Sequence, residues 1–190
     1  MTYNAIYSIR DVTDESGAFE EPVSLDEMKD YLRLEGYTDT DESTADDLSD
    51  FDFDDLLLTD LIKASREQIE KISSSTIVPK TWEAVVNNYR MLELPRGPIG
   101  DIISLYDEDD VEILAADYEI IGNDRKFLKS PRQCELTITY EAGYDIVPAG
   151  LKIDIMRLTA YMYENRGEDS SINRFASQIA MKYAREGWIV

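Results

Sequence analysis

The chain has 190 residues, with 40 Asp and Glu against 19 Lys and Arg, a formal net charge of −21, and no histidine. That charge excludes a tight electrostatic grip on a phosphate backbone and attraction to an anionic membrane surface. The missing imidazole removes the commonest general base, the usual metal ligand, and the Ser-His and Cys-His nucleophile pairs, so an enzyme here would have to work with carboxylates, Lys or Tyr.

With 43% hydrophobic residues and 12 tyrosines, the acidity lies on an ordinary globular composition, enough for one domain with a real core. No uncharged apolar run approaches the roughly 18 to 20 residues of a spanning helix. The opening MTYNAIYSIRD lacks the basic start and apolar run of a signal peptide, so a cytosolic protein is expected. Cys134 is the sole cysteine, which excludes an intramolecular disulfide and a cysteine zinc cluster; a small core residue is expected there.

In chain order, residues 1–20 offer one short strand at NAIYSI. PVSLDEMKDYLRLEG then predicts a helix. Ser24 is placed to cap it, Glu27 completes a capping box, Val23 and Met28 form a hydrophobic staple, and Gly36 ends it. Leu25, Met28, Tyr31 and Leu32 make its apolar face.

Residues 41–60 carry nine acidic side chains and no basic one, and the composition of 39–55 predicts a disordered, solvated stretch. Asp50, Asp52 and Asp54 imitate the opening of a calcium loop. The sixth position is Asp55 where a sharp turn wants Gly, and the twelfth is Leu61 where a bidentate Glu belongs, so no metal is expected. Leu58, Leu61, Ile62, Ser65, Ile69 and Ile72 then predict an amphipathic helix with a Glu67–Lys71 pair, ended by SSSTIVP.

The middle third changes period. Trp82, Ala84 and Val86, and Leu136, Ile138 and Tyr140, alternate with other residues as half-buried strands do. IISLY, VEIL, YEII and KFL read as short strands between them, with DEDD (Asp107, Glu108, Asp109, Asp110) as a hairpin turn. The expectation is a small antiparallel sheet. A two-metal nuclease would gather carboxylates from separate strands, not from neighbours in one turn.

Pro148 starts a third helix with two apolar stripes, Ile153, Met156, Ala160 and Tyr163, and Leu151, Ile155, Leu158 and Met162, a surface wide enough to require burial. Gly167 closes it, and Ser171 opens a fourth helix bearing Ile172, Phe175, Ile179 and Tyr183, ended by Gly187. The last residues are GWIV, whose apolar side chains should fold back or be covered by a partner. No phosphate loop, dinucleotide fingerprint or nucleophile elbow occurs. The fold class expected is α+β: a mainly helical bundle of about four helices with a small antiparallel β-sheet inserted in the middle.

PVSL-x-x-MK-x-YLRLEG, TWEAVV, LELPRGPIGDIISLY, TITYEAGY and VPAGLKIDIMRLTAYMYENRGE, in this order from Glu21 to about Tyr183, resemble the head-tail connector family of tailed double-stranded-DNA bacteriophages, the head-completion adaptors beneath the portal. Residues 37–55 depart from the family pattern, an acidic insertion replacing a short turn. The resemblance implies a single connector domain over 1–190: an N-terminal segment 1–20, helices within 21–78, an antiparallel β subdomain 81–141, helices within 147–186, and an apolar tail 187–190.

It further implies a non-enzymatic virion protein at the neck, present in the host cytoplasm during assembly and needing no cofactor. Its partners would be the portal protein, a tail-side neck or tail-completion protein, and copies of itself in a dodecameric ring through which DNA passes without tight binding. Family members commonly grip the portal with their C-terminal segment, which makes Arg185, Trp188, Ile189 and Val190 portal-contact candidates. Asp46, Asp47, Asp50, Asp52, Asp107, Glu108, Asp109 and Asp110 become candidates to face the channel or a neighbouring subunit, where carboxylates repel phosphates over about 8 Å. The alternatives are an acidic DNA mimic that inhibits a DNA-processing enzyme, a carboxylate metal hydrolase, and a virion protein elsewhere in the particle.

Overall fold

The computed structural model describes residues 6–13, 19–34, 53–87, 91–122, 126–129, 134–165 and 169–184. The fold is α+β, and the chain divides into two compact units, each discontinuous in sequence.

The first unit holds the strands. A four-stranded antiparallel sheet runs β1 (Ile6–Asp11), β2 (Lys80–Asn87), β7 (Glu135–Ala142), β4 (Ile99–Asp107). A three-stranded sheet runs β3 (Leu92–Glu93), β6 (Phe127–Lys129), β5 (Glu119–Ile121). The sequence pattern anticipated one sheet. The second forms because Leu92 pairs with Leu128 and Ile120 pairs with Leu128 on its other side, putting apolar residues into the core shared with the first sheet.

The alternation seen in the sequence is the burial pattern observed: Leu136, Ile138 and Tyr140 are buried while Thr137 and Thr139 are half-buried. The N-terminal strand pairs along β2, with Arg10 against Glu83 in a 2.6 Å ion pair. VEIL does not form a strand. It contributes one bridge, Glu112 to Tyr106, before a turn closed by Asp117 N–H donating to Leu114 carbonyl at 2.8 Å leads the chain away.

The second unit is helical: α1 (Leu25–Leu32), α2 (Phe53–Ser73), α3 (Ala149–Glu164) and α4 (Asp169–Ala180). The capping box on α1 is present, with Glu27 N–H donating to Ser24 Oγ at 3.2 Å and Ser24 N–H donating to the Glu27 carboxylate at 3.0 Å. Val23 and Met28 are buried as the staple requires, while Tyr31 is exposed. The helix ends before Gly36, because Arg33 takes the left-handed conformation (φ 55°) and its N–H caps the Asp30 and Lys29 carbonyls.

α2 buries Leu58, Ile62, Ser65 and Ile69. Ile72 stays exposed, and Glu67 lies 3.5 Å from Arg66. In α3 only the stripe of Leu151, Ile155 and Leu158 is buried; Ile153 is 41% exposed. The Ser65 and Thr159 hydroxyls meet at 3.0 Å, so small side chains let α2 and α3 approach closely. α4 begins two residues before Ser171 and packs Ala176, Ile179 and Ala180 inward, with Phe175 stacked on Tyr161 at 4.7 Å.

Candidate functional site

Three segments that stand out in the sequence, TWEAVV, LPRGPI and YEAGY, meet at one end of the sheet unit. Trp82 Nε1 donates to Thr76 Oγ1 at 3.0 Å, and that hydroxyl donates to the Arg96 carbonyl at 2.7 Å. The Arg96 guanidinium lies 5.1 Å from the indole centroid and the Lys80 ammonium 5.9 Å, both within cation–π range. The buried Tyr140 hydroxyl donates to the Pro95 carbonyl at 2.8 Å, and Gly143 N–H donates to the Pro98 carbonyl at 2.9 Å. Gly143 has φ +128°, and a Cβ there would stand 2.6 Å from the Val78 carbonyl oxygen, so only glycine fits. Every polar group of this knot named here is spent on another part of the same unit, so its role is to hold the sheet.

The DEDD turn leaves the end of β4. Asp107 is 8% exposed, and its carboxylate accepts from the backbone N–H of Asp109 (3.1 Å) and Val111 (3.0 Å). It builds the turn and presents no charge outward, while Glu108, Asp109 and Asp110 are exposed at the tip. Asp110 takes the left-handed region at φ 57°, which Asp tolerates.

The helical unit contains two ionic centres that the periodicity did not reveal. Arg66, 1% exposed, is gripped by Glu21 (Nε to Oε2 2.8 Å, Nη2 to Oε1 3.0 Å) and Glu70 (2.8 Å). Burial alone would lower its pKa, but the Glu21 hydrogen bonds and the Glu70 and Glu21 charges raise it, so the guanidinium stays charged.

Asp154, 3% exposed on α3, accepts from Lys182 Nζ at 2.9 and 3.1 Å, Tyr183 Oη at 2.8 Å and Arg157 Nη1 at 3.2 Å. Burial alone would raise its pKa, but these hydrogen bonds and the Lys182 charge outweigh it and hold the carboxyl below the usual carboxylate range. This fastens the turn after α4 to the buried face of α3.

Of the residues singled out from sequence, Arg185, Trp188, Ile189 and Val190, and Asp46, Asp47, Asp50 and Asp52, lie outside the described residues. Helix α2 is already under way at Phe53, so the second half of the calcium-like pattern is helical. Among the described residues no group of three or more Cys, Asp or Glu side chains is arranged to hold a metal ion, and no helix is long and apolar enough to cross a membrane. Cys134 is half-buried against the sheet core.

No protein-family description and no curated protein matches the sequence. Solved structures do match in fold. A chain from the neck of an empty gene transfer agent (GTA) particle, computed with C6 symmetry, is 20% identical and superposes with a TM-score of 0.62 over 88% of this chain and 94% of that one. One from the virion of a native GTA particle is 17% identical, with a TM-score of 0.65 over 93% and 94%. A third, from the neck of a native GTA particle computed with C12 symmetry, is 15% identical, with a TM-score of 0.56 over 67% and 81%.

Proposed function

We infer that the protein is a structural component of a phage-type particle neck, a head-tail connector that joins the portal as a ring and extends the DNA channel toward the tail. The observation that carries this reading is the match of nearly the whole chain, 88% and 93% of it, to chains from a GTA neck and a GTA virion. It agrees with the resemblance carried by LPRGPI, YEAGY and VPAGLK, whose first two segments build the knot that holds the sheet. The ion pairs described join segments of the same unit: Arg10 and Glu83 tie strand to strand, Arg66 holds Glu21 to α2, and Lys182 holds the turn after α4 to α3.

Under this reading Arg185, Trp188, Ile189 and Val190 contact the portal, and the ring is a dodecamer. The net charge of −21 then keeps DNA sliding past the channel wall. The test is electron microscopy of particles produced from the genome that carries this gene, labelled with an antibody against the protein. Label at the junction of head and tail supports the connector. Particles free of label, with antigen shown accessible on the purified protein, overturn it.

A further inference from the structure

Two exposed surfaces, one on each unit, are matched in chemistry. On the sheet unit, the bulge between Ile102 and Ser104 in the pairing of β4 with β7 leaves Ile103 54% exposed. Tyr106 sits opposite Glu112 across the turn, so both occupy one face of that short ladder, and two residues further on Leu114 is 61% exposed. Glu108 and Asp109 stand at the tip. The hairpin thus exposes apolar side chains beside Glu112, with further acids at its tip.

On the helical unit, Ile153 and Arg157 are one turn apart on α3. Arg157 and Lys182 converge on Asp154 with about half of each side chain exposed, and Met181, the residue before Lys182, is 73% exposed. Two cations around one carboxylate leave this apolar surface with a positive balance.

The geometry points to a subunit interface: the β4 hairpin of one copy docks on the α3–α4 turn surface of the next, and the contact repeats around the ring. This rests on the connector reading. A hairpin-to-hairpin contact would set Glu108, Asp109 and Glu112 of both copies against one another, which disfavours a two-fold pair. A head-to-tail contact between two different surfaces of one chain generates a closed ring when its rotation closes. Apolar side chains supply burial, and the acidic tip against Arg157 and Lys182 sets register.

The experiment uses the full chain in a Cys134→Ser background, oxidised under conditions in which electron microscopy shows rings of the parent protein, on particles or alone. Asp109→Cys and Met181→Cys proteins are expected to cross-link when mixed, neither doing so by itself, and a chain carrying both to give a ladder of oligomers. Cross-linking of Asp109→Cys with itself, or none in the mixture, overturns this interface while leaving the connector standing. Absence of rings from the parent protein in both settings overturns both. Glu108→Lys with Asp109→Lys, both at exposed positions, should weaken assembly by about tenfold or more, and adding Arg157→Glu should restore much of it. Failure of the exchange to restore assembly, with helical content of the triple variant unchanged, also refutes the pairing.

Discussion

Replacing Asp154 by Asn removes one charge from a nearly buried site where four hydrogen bonds converge. Hydrogen bonds to a charged group contribute about 1.5–3 kcal/mol each. The bonds from Lys182 and Arg157 count for less, because about half of each side chain reaches solvent and regains water when the carboxylate is lost. Asparagine also keeps one acceptor for the Tyr183 hydroxyl. The expected loss is therefore about 2 kcal/mol, or roughly 4–8 °C in Tm for a chain of this size.

The effect has a definite pH dependence. The folded-state pKa of Asp154 is depressed, so its contribution is fully present above the unfolded value and is lost as pH falls through the lower, folded one. Melting followed by circular dichroism at 222 nm should thus separate wild type from Asp154→Asn at pH 7, and the gap should begin to close below about pH 3.8, the ordinary carboxylate value, and vanish only below the lower folded-state value. A Tm difference under about 1 °C at neutral pH, or one undiminished in acid, would refute the assignment of this hub.

Three further outcomes are expected. Gly143→Ala forces a side chain into a φ of +128° and against the Val78 carbonyl, which should cost about 3 kcal/mol or more, read as a lower urea midpoint. Arg66→Met leaves Glu21 and Glu70 without their guanidinium and should cost about 3–5 kcal/mol, whereas Arg66→Met with Glu70→Leu should recover part of that in the same assay. Ser24→Ala removes the α1 cap for a loss of about 1 kcal/mol in chemical denaturation.

What could be read from the sequence was what is encoded locally. The Ser24–Glu27 capping box spans four residues and carries its own geometry, and the alternation in 135–142 follows from a strand with one face in the core. The second sheet was not legible, because the partners Leu92 and Leu128 are distant in sequence and each strand is only two or three residues long. The ionic centres escaped for another reason. Arg66 and Glu70 continue the row Leu58, Ile62 in steps of four, and Asp154 lies between the buried Leu151 and Ile155. The place of each charged residue on an apolar stripe was the available signal. Asp107 read as one more exposed acid, although Asp at the start of a turn commonly accepts from the backbone ahead of it.

The interleaving of the two units has a consequence for synthesis. The helical unit is made of residues 21–73 and 147–184, so α2 leaves the ribosome with its partners α3 and α4 not yet made. At 5–20 residues per second the intervening stretch takes roughly 4 to 15 s to translate. For that interval Leu58, Ile62 and Ile69 lack the helices that cover them, and the charged groups of Arg66 and Glu70 share the same face. An ion pair within one helix needs no later segment to form. A nascent chain waiting for its second half thus carries polar groups along the face most exposed to premature association, and the pair that fastens Glu21 in the finished protein also interrupts that face while the chain is incomplete.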